Sequence, residues 1–325
     1  MNNSFDLENI HNFLKGVNRF YGQFDRRKTN QTIVWQEGST KVIDYSNQNK
    51  AYLPCLFFIP SLINKSYILD LDEESSLVRH FAELGYKVYL IDFAEPQIEE
   101  LNMSFADYQM RISKAIQDVC KKEAVITIGY CLGGIFACSM SSMSNIVGQI
   151  LIATPVDFSH FNKQFSLNNP LVFNNITYML ESLDRVPPSM VQLFFSYLSP
   201  MRIWDKFCQF STANNQEEID KFLSIEQWIN DGISLSKKFG LEALSIIANN
   251  KLGISIGNNQ TPSLIINGSE DNIAPISSSV PLYNSLLNKD ILVEKTGHIG
   301  LIISKLSHQK IWPRMEQWIK NQTLP

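Results

Sequence analysis

Charge is scarce in this chain. Only 18% of its 325 residues are Asp, Glu, Lys or Arg, and 28 basic against 32 acidic residues leave a net charge of −4. That balance supplies no broad basic face, so no nucleic acid partner is expected. Long apolar runs are missing as well. Stretches such as PCLFFIPSLI fall well short of the roughly 20 residues a membrane helix needs, and no membrane span is expected. The opening MNNSFDLENIHNF has acids and amides where a secretory leader carries basic charge ahead of an apolar run. Cysteines number five (Cys55, Cys120, Cys131, Cys138 and Cys208), form no CxxC pair and match no zinc spacing. A disulfide framework is therefore excluded, and free thiols in a reducing cytoplasm are expected. Neither a Walker loop nor GxGxxG occurs, so no motif of that kind cradles nucleotide phosphates. No cofactor and no metal is expected.

What the chain does have is apolar mass, 44% of its residues, arranged in a strand–helix rhythm. A first amphipathic helix is predicted over 5–21, with Phe5, Ile10, Phe13, Leu14, Val17 and Phe20 as its apolar members. TIVWQ from Thr32 and KVIDYS from Lys41 read as two strands around a turn at Gly38, and PCLFFIP (54–60) as a buried strand. Alternation follows: a helix over about 74–84, the strand KVYLID (87–92), a helix from Ser104 to about Lys122, the strand AVITIG (124–129), a helix from Cys131, and VGQILIA (147–153). The pattern resumes with PSLIIN (262–267), a helix over 277–287, DILVE (290–294) and a terminal helix from about 301. Apolar strands alternating with helices predict an α/β fold with a mostly parallel sheet covered on both faces. The expected organisation is an N-terminal helical segment (1–30), a core built from 31–154 and 259–325, and a helical cap or lid inserted at 155–258. The cap stretch is rich in Phe, Asn, Ser and Pro, and it is expected to be a mobile lid over the carboxyl edge of the sheet.

The sharpest local signal is GYCLGG at 129–134, directly after one strand and directly before one helix. G-x-nucleophile-x-G in that setting is a nucleophile elbow, a strained turn that presents the central side chain at a helix N-terminus. There the free N–H groups and the helix field favour a thiolate and an oxyanion. By itself a cysteine between glycines is as readily a small buried hydrophobe. Two other stretches weigh against that. GSEDNIAP (268–275) follows the strand PSLIIN, and KTGHIGL (295–301) follows DILVE. Those are the strand ends at which an α/β-hydrolase-like fold carries its acid and its histidine, in the chain order nucleophile, acid, histidine. Cys131, Asp271 and His298 are the expected catalytic triad. The other histidines, His11, His80, His160 and His308, lack a metal-ligand partner at helical or strand spacing and are expected in surface or capping roles. Cys138 is expected to pack in the core, and Asp70, Asp72, Glu73 and Glu74 to form a solvated helix start.

Several ordered stretches go further: PSLINKSYILDL (60–71), SLVRHFAELGYKVYLIDF (76–93), GYCLGG, ATPVDF (153–158), FLSIEQWIND (222–231), GSEDNIAP and GHIGL. From about residue 32 to the C-terminus the chain resembles the poly(3-hydroxyalkanoate) synthases, most of all the short class III type. The resemblance implies an acyltransferase of the α/β-hydrolase fold that moves 3-hydroxyacyl groups from coenzyme A thioesters onto a growing polyester, with the thioester as substrate and no cofactor. It implies Cys131 as the acylated nucleophile and His298 as its base. Asp271 would orient the imidazole or help activate the 3-hydroxyl of the incoming unit. The backbone N–H of Leu132 would be one oxyanion donor, with the second from Leu62 in the Ser61–Leu62 turn. Partners implied are 3-hydroxyacyl-CoA and a polyester granule surface in the cytoplasm, and the resemblance allows a homodimer or a second synthase subunit. Departures from the family pattern are Asn272, where a His commonly follows the acid, Ile276, where Trp is frequent, and Phe93-Ala94 in place of Trp-Gly. A thioesterase or polyester depolymerase could use the same three residues. A non-catalytic granule-binding protein is disfavoured by the presence of all three.

Overall fold

The computed structural model describes residues 7–21, 31–47, 52–198, 200–252 and 260–323. Phe5, assigned above to the first helix, and the expected cap boundary at 258/259 lie outside the described residues. Among the described residues ten strands follow in chain order: β1 (Thr32–Glu37), β2 (Thr40–Asp44), β3 (Tyr52–Ile59), β4 (Tyr86–Asp92), β5 (Val125–Tyr130), β6 (Ile146–Ile152), β7 (Arg185–Val186), β8 (Leu235–Ser236), β9 (Ser263–Gly268) and β10 (Lys289–Glu294). Eight of them make one sheet in the order β1-β2-β4-β3-β5-β6-β9-β10. The β1–β2 and β2–β4 pairs are antiparallel, and every pair from β4 to β10 is parallel. The two dyads of β7 and β8 form a separate antiparallel ribbon.

Both faces of the sheet are covered, which is why β5 and β9 are buried at every position. Side chains of β3 alternate between the two cores. Leu56 and Phe58 point into one with the helices α2 (Leu77–Glu83) and α13 (Trp312–Thr323). Cys55, Phe57 and Ile59 point into the other with α3 (Phe105–Cys120), α4 (Leu132–Met140) and α11 (Ile276–Ser285). Local chemistry sets the helix ends. Ser76 caps α2, and Ser104 with Asp107 forms a reciprocal capping box on α3. Cys138, as expected, packs in the α4 core.

Between β6 and β9 the chain makes the helices α5 (Ser159–Phe165), α6 (Pro170–Glu181), α7 (Pro188–Leu198), α8 (Pro200–Thr212), α9 (Gln216–Asn230) and α10 (Lys237–Asn249). Its asparagines serve as caps: Asn169 accepts from Leu171 N–H with Pro170 at the first helical position, and Asn215 accepts from the N–H groups of Glu217 and Glu218. The N-terminal helix α1 (Leu7–Tyr21) packs on α8. Phe13 stacks on Trp204 with ring centroids 4.6 Å apart, Gly16 faces the Phe207 carbonyl, and Arg19 donates to the carbonyls of Phe210 and Ala213 at 3.0 and 2.8 Å. The first helix thus packs on a helix of the β6–β9 connection.

Three expectations are corrected. The terminal helix is not continuous from 301: α12 (Gly300–Ile303) stops at Ser304 in extended backbone, a π-turn spans Ser307–Ile311, and α13 follows. Pro313 carries no N–H to return to residue 309, so the regular ladder cannot run through this junction. His80, His160 and His308 are neither surface nor capping residues. Their rings are half-buried against aromatic neighbours, His80 and His308 on Trp312 at 4.9 and 4.1 Å and His160 on Phe161 at 3.8 Å. Asp70 is not solvated either; it is buried and accepts from Tyr45, Ser76 and the Arg79 guanidinium at 2.6–3.1 Å. Among the described residues no group of three or more His, Cys, Asp or Glu could hold a metal ion, and no helix is long and apolar enough to cross a membrane.

Candidate active site

β5 ends at Tyr130, and Cys131 turns sharply into α4 with φ +55° and ψ −122°. A non-glycine residue at positive φ is strained and persists only where its surroundings hold it. Here they do: Cys131 N–H donates to the Ile152 carbonyl at 2.9 Å, and its own carbonyl accepts from Gly134 at 2.9 Å. The two glycines after Leu132 are required by space. A Cβ on Gly133 would run into the Ile59 and Pro60 carbonyls, and one on Gly134 into Thr154. The elbow is thereby seated against the end of β3, where the chain enters the Ser61–Leu62 turn, and α4 begins there with its first peptide N–H groups. These N–H groups have no partner within the helix.

Asp271 and His298 come from the loops after β9 and β10. The loops are tied to each other, since Glu270 N–H donates to the Thr296 carbonyl at 3.1 Å and Ser269 N–H to that of Glu294 at 2.9 Å. His298 Nδ1 lies 2.7 Å from Asp271 Oδ2. The other carboxylate oxygen, Oδ1, accepts from the N–H groups of Ile273 and Ala274 at 2.8 Å each. Both oxygens are committed, so the acid is fixed in place. Cys131 acts on the His298 ring from close by, and with Nδ1 engaged by Asp271 the nitrogen left to meet it is Nε2. All three residues are buried, with 6%, 3% and 9% of their surfaces exposed for Cys131, Asp271 and His298. Burial by itself would lower the basicity of His298. The Asp271 charge and Cys131 overcome it and push His298 up to about 10.

All three residues expected from the sequence as a triad are brought together, and Leu132 and Leu62 flank the elbow as its first helical residue and the neighbouring turn. Leu62 is 2% exposed. One residue at the site was missed. Tyr130, fully buried, lies with its ring 5.1 Å from that of His298 and donates its hydroxyl to the His298 carbonyl at 3.3 Å. Burial, reinforced by the Cys131 and Asp271 charges, keeps its phenol well above the ordinary range, so it acts as a neutral donor. Its signal was its place in GYC, immediately before Cys131.

This sheet order, elbow and placement of acid and histidine define an α/β hydrolase. A family model described as the alpha/beta hydrolase fold matches residues 54–304, and the chain belongs to that family. Solved structures agree at the level of the fold. A monoacylglycerol lipase of Paleococcus ferrophilus superposes with a TM-score of 0.58 at 14% identity, over 87% of this chain and 99% of its own, and MenH from S. aureus with 0.57 at 16%, over 88% and 99%. Within the fold family the chain is similar to the poly(3-hydroxyalkanoate) synthases. Residues 23–81 match the poly-beta-hydroxybutyrate polymerase (PhaC) N-terminus. Proteins named poly(3-hydroxyalkanoate) polymerase subunit PhaC are similar over most of the chain: that of Haloarcula marismortui at 26% identity over 92% of this chain and 69% of its own length, that of Haloferax mediterranei at 24% over 91% and 65%, and that of Synechocystis sp. at 24% over 97% and 93%.

Proposed function

We propose that this protein is a polyester synthase that transfers 3-hydroxyacyl groups from coenzyme A thioesters to the hydroxyl end of a growing chain through an acyl-thioenzyme on Cys131. The observation that carries the reading is the cysteine itself, held at positive φ on a buried elbow and accompanied by a histidine that Asp271 fixes at 2.7 Å. Similarity to the poly(3-hydroxyalkanoate) synthases supports the substrate class.

The steps follow from the residues. Cys131 Sγ attacks the thioester carbonyl, a C–S bond forms, and the coenzyme A sulfur leaves and takes up a proton from His298. The acyl-thioenzyme remains activated toward an alcohol. In the second step His298 takes the proton of a 3-hydroxyl as its oxygen attacks the acyl carbon, and the Cys131 thiolate is released. Both steps pass through an oxyanion, which the N–H groups of Leu132 and Leu62 would receive. Asp271 acts by orienting and charging His298, since both its oxygens are already engaged. Burial of the cysteine disfavours hydrolysis, because the intermediate is shielded from bulk water.

Purified protein incubated with 3-hydroxybutyryl-CoA should release thiol in step with polymer, and free 3-hydroxybutyrate should stay a minor product. Cys131→Ala should abolish thiol release, and Cys131→Ser should leave only traces, because an alcohol is a far weaker nucleophile near neutral pH. Free acid as the main product would instead identify a thioesterase. Unchanged activity in Cys131→Ala would refute the mechanism.

A further inference from the structure

The turn that carries Leu62 has one bond of its own, from Ile63 N–H to Ser61 Oγ at 3.3 Å, and is otherwise held from outside. Each of its neighbours is tied, and the ties lead to one place, the C-terminal end of the cap helix α9. Ile63 accepts from Ile233 N–H at 3.1 Å through its carbonyl. Asn64, buried, donates through Nδ2 to the carbonyls of Trp228 and Ile229 at 3.1 and 3.2 Å and forms a backbone bridge with Gly232. The Lys65 carbonyl accepts from Trp228 Nε1 at 2.7 Å, while its ammonium pairs with Asp231 at 2.7 Å. Tyr67 donates to the same Asp231 at 3.1 Å. Asn64 therefore supplies donors to two carbonyls in the last turn of α9, of which that of Trp228 also accepts from Asp231 N–H at 3.2 Å, and Trp228 returns a donor to the turn. The two segments are 164 residues apart in sequence and form one latch.

We propose that Asn64 and Trp228 are positioning residues for acyl transfer: joined, they set the angle at which the Leu62 N–H meets the acyl oxygen, so that the cap helix α9 and the oxyanion turn move as one body. This rests on the reading of Leu62 as an oxyanion donor. An oxyanion donor must sit within a few tenths of an ångström of its place, and a shift of about 1 Å costs on the order of 100-fold in rate. Loosening the latch would therefore slow acylation while leaving the nucleophile intact.

Two reactions of Cys131 separate these effects. Alkylation by iodoacetamide displaces iodide and builds no oxyanion. Acylation by p-nitrophenyl butyrate forms the Sγ–acyl bond, expels p-nitrophenolate and passes through an oxyanion without any coenzyme A. Trp228→Phe keeps the ring and removes the donor to Lys65; Asn64→Asp keeps the shape and removes the donor to α9. Both variants should acylate roughly 10–100-fold more slowly than the parent in single-turnover bursts, with alkylation within about twofold and substrate KM little changed. Acylation within twofold of the parent in Trp228→Phe would overturn the proposal, as would equal losses in both reactions, which would mark a general loss of structure. Should Asn64→Asp not fold, Trp228→Phe alone decides. A parent that is acylated by the ester but not by 3-hydroxybutyryl-CoA would refute the polyester reading and leave the latch to be decided by the ester. A parent that neither reagent acylates would overturn both.

Discussion

His298 is wedged between Asp271 and Cys131, and its proton ties the stability of the site to pH. Its basicity is raised from an ordinary value of 6.5 to about 10, so the folded state holds that proton more tightly than the unfolded chain does. The stabilisation is complete below about pH 6.5 and is lost as the pH rises through about 10. Melting temperature should therefore fall between these limits, and Asp271→Asn, which removes the charge that raises His298, should flatten that fall. Calorimetry of parent and variant across pH 6–10 measures the difference, and identical slopes would refute the assignment. The triad was legible in the sequence because each member follows a strand at a position that the fold reserves for it. Tyr130 could have been noticed as the neighbour of the nucleophile. Asn64 and Trp228 were legible only as members of distinctive stretches; that their side chains pair is a matter of tertiary placement, which no local spacing encodes. For the same reason His80 and His308 gave no hint of their shared stacking on Trp312, since one lies on α2 and the other in the π-turn.

Elements of the core were readable because hydrophobic period and turn residues agree with the final sheet. β3 is apolar on both faces and borders two parallel strands, and Gly85, at φ +95°, ends α2 where the sequence expects an end. The first helix is the instructive exception. Its amphipathic pattern was clear, but what it covers was not. Fifteen residues make a marginal helix in water on their own, so α1 depends on α8, and Gly16 is where the two backbones come closest. A Cβ at Gly16 would collide with the Phe207 carbonyl, which cannot swing aside as a side chain could. Gly16→Ala should cost about 1–3 kcal/mol at this contact and release α1 from the cap. Amide exchange over 7–21 should rise to that of an unprotected peptide while β5 and β6 stay protected. Retained protection over 7–21 would show that the helices can separate slightly and still pack.

Taken whole, the helical insertion is fastened unevenly. Its later part is stitched to the core: Ser234 donates to Glu95, Ser236 Oγ to the Met103 carbonyl at 2.6 Å, and Phe105 N–H to Glu242. Its earlier part is tied at its ends, where Val156 and Asp157 N–H donate to the Ser278 carbonyl at 2.8 and 2.9 Å and Arg185 to that of Pro96 at 3.5 Å, but the helices between and beyond are thinly buried. α6 buries only Leu180, α7 buries no residue, and Leu171, Tyr178, Leu193 and Tyr197 are exposed. Opening of the cap, if substrate entry needs it, belongs to 170–198 and not to α9 and α10. Hydrogen exchange should be fast over α6 and α7, slow over 228–242, and altered on acylation mainly in the former; uniform protection across the insertion would show a fixed cover. The latch between Asn64 and Trp228 also bears on how such enzymes can be recombined. A chimera that exchanges the insertion for that of a relative cuts this latch unless residues 61–67 are exchanged with it. The functional boundary of the insertion thus takes in a turn of the core that lies some ninety residues upstream of the insertion itself.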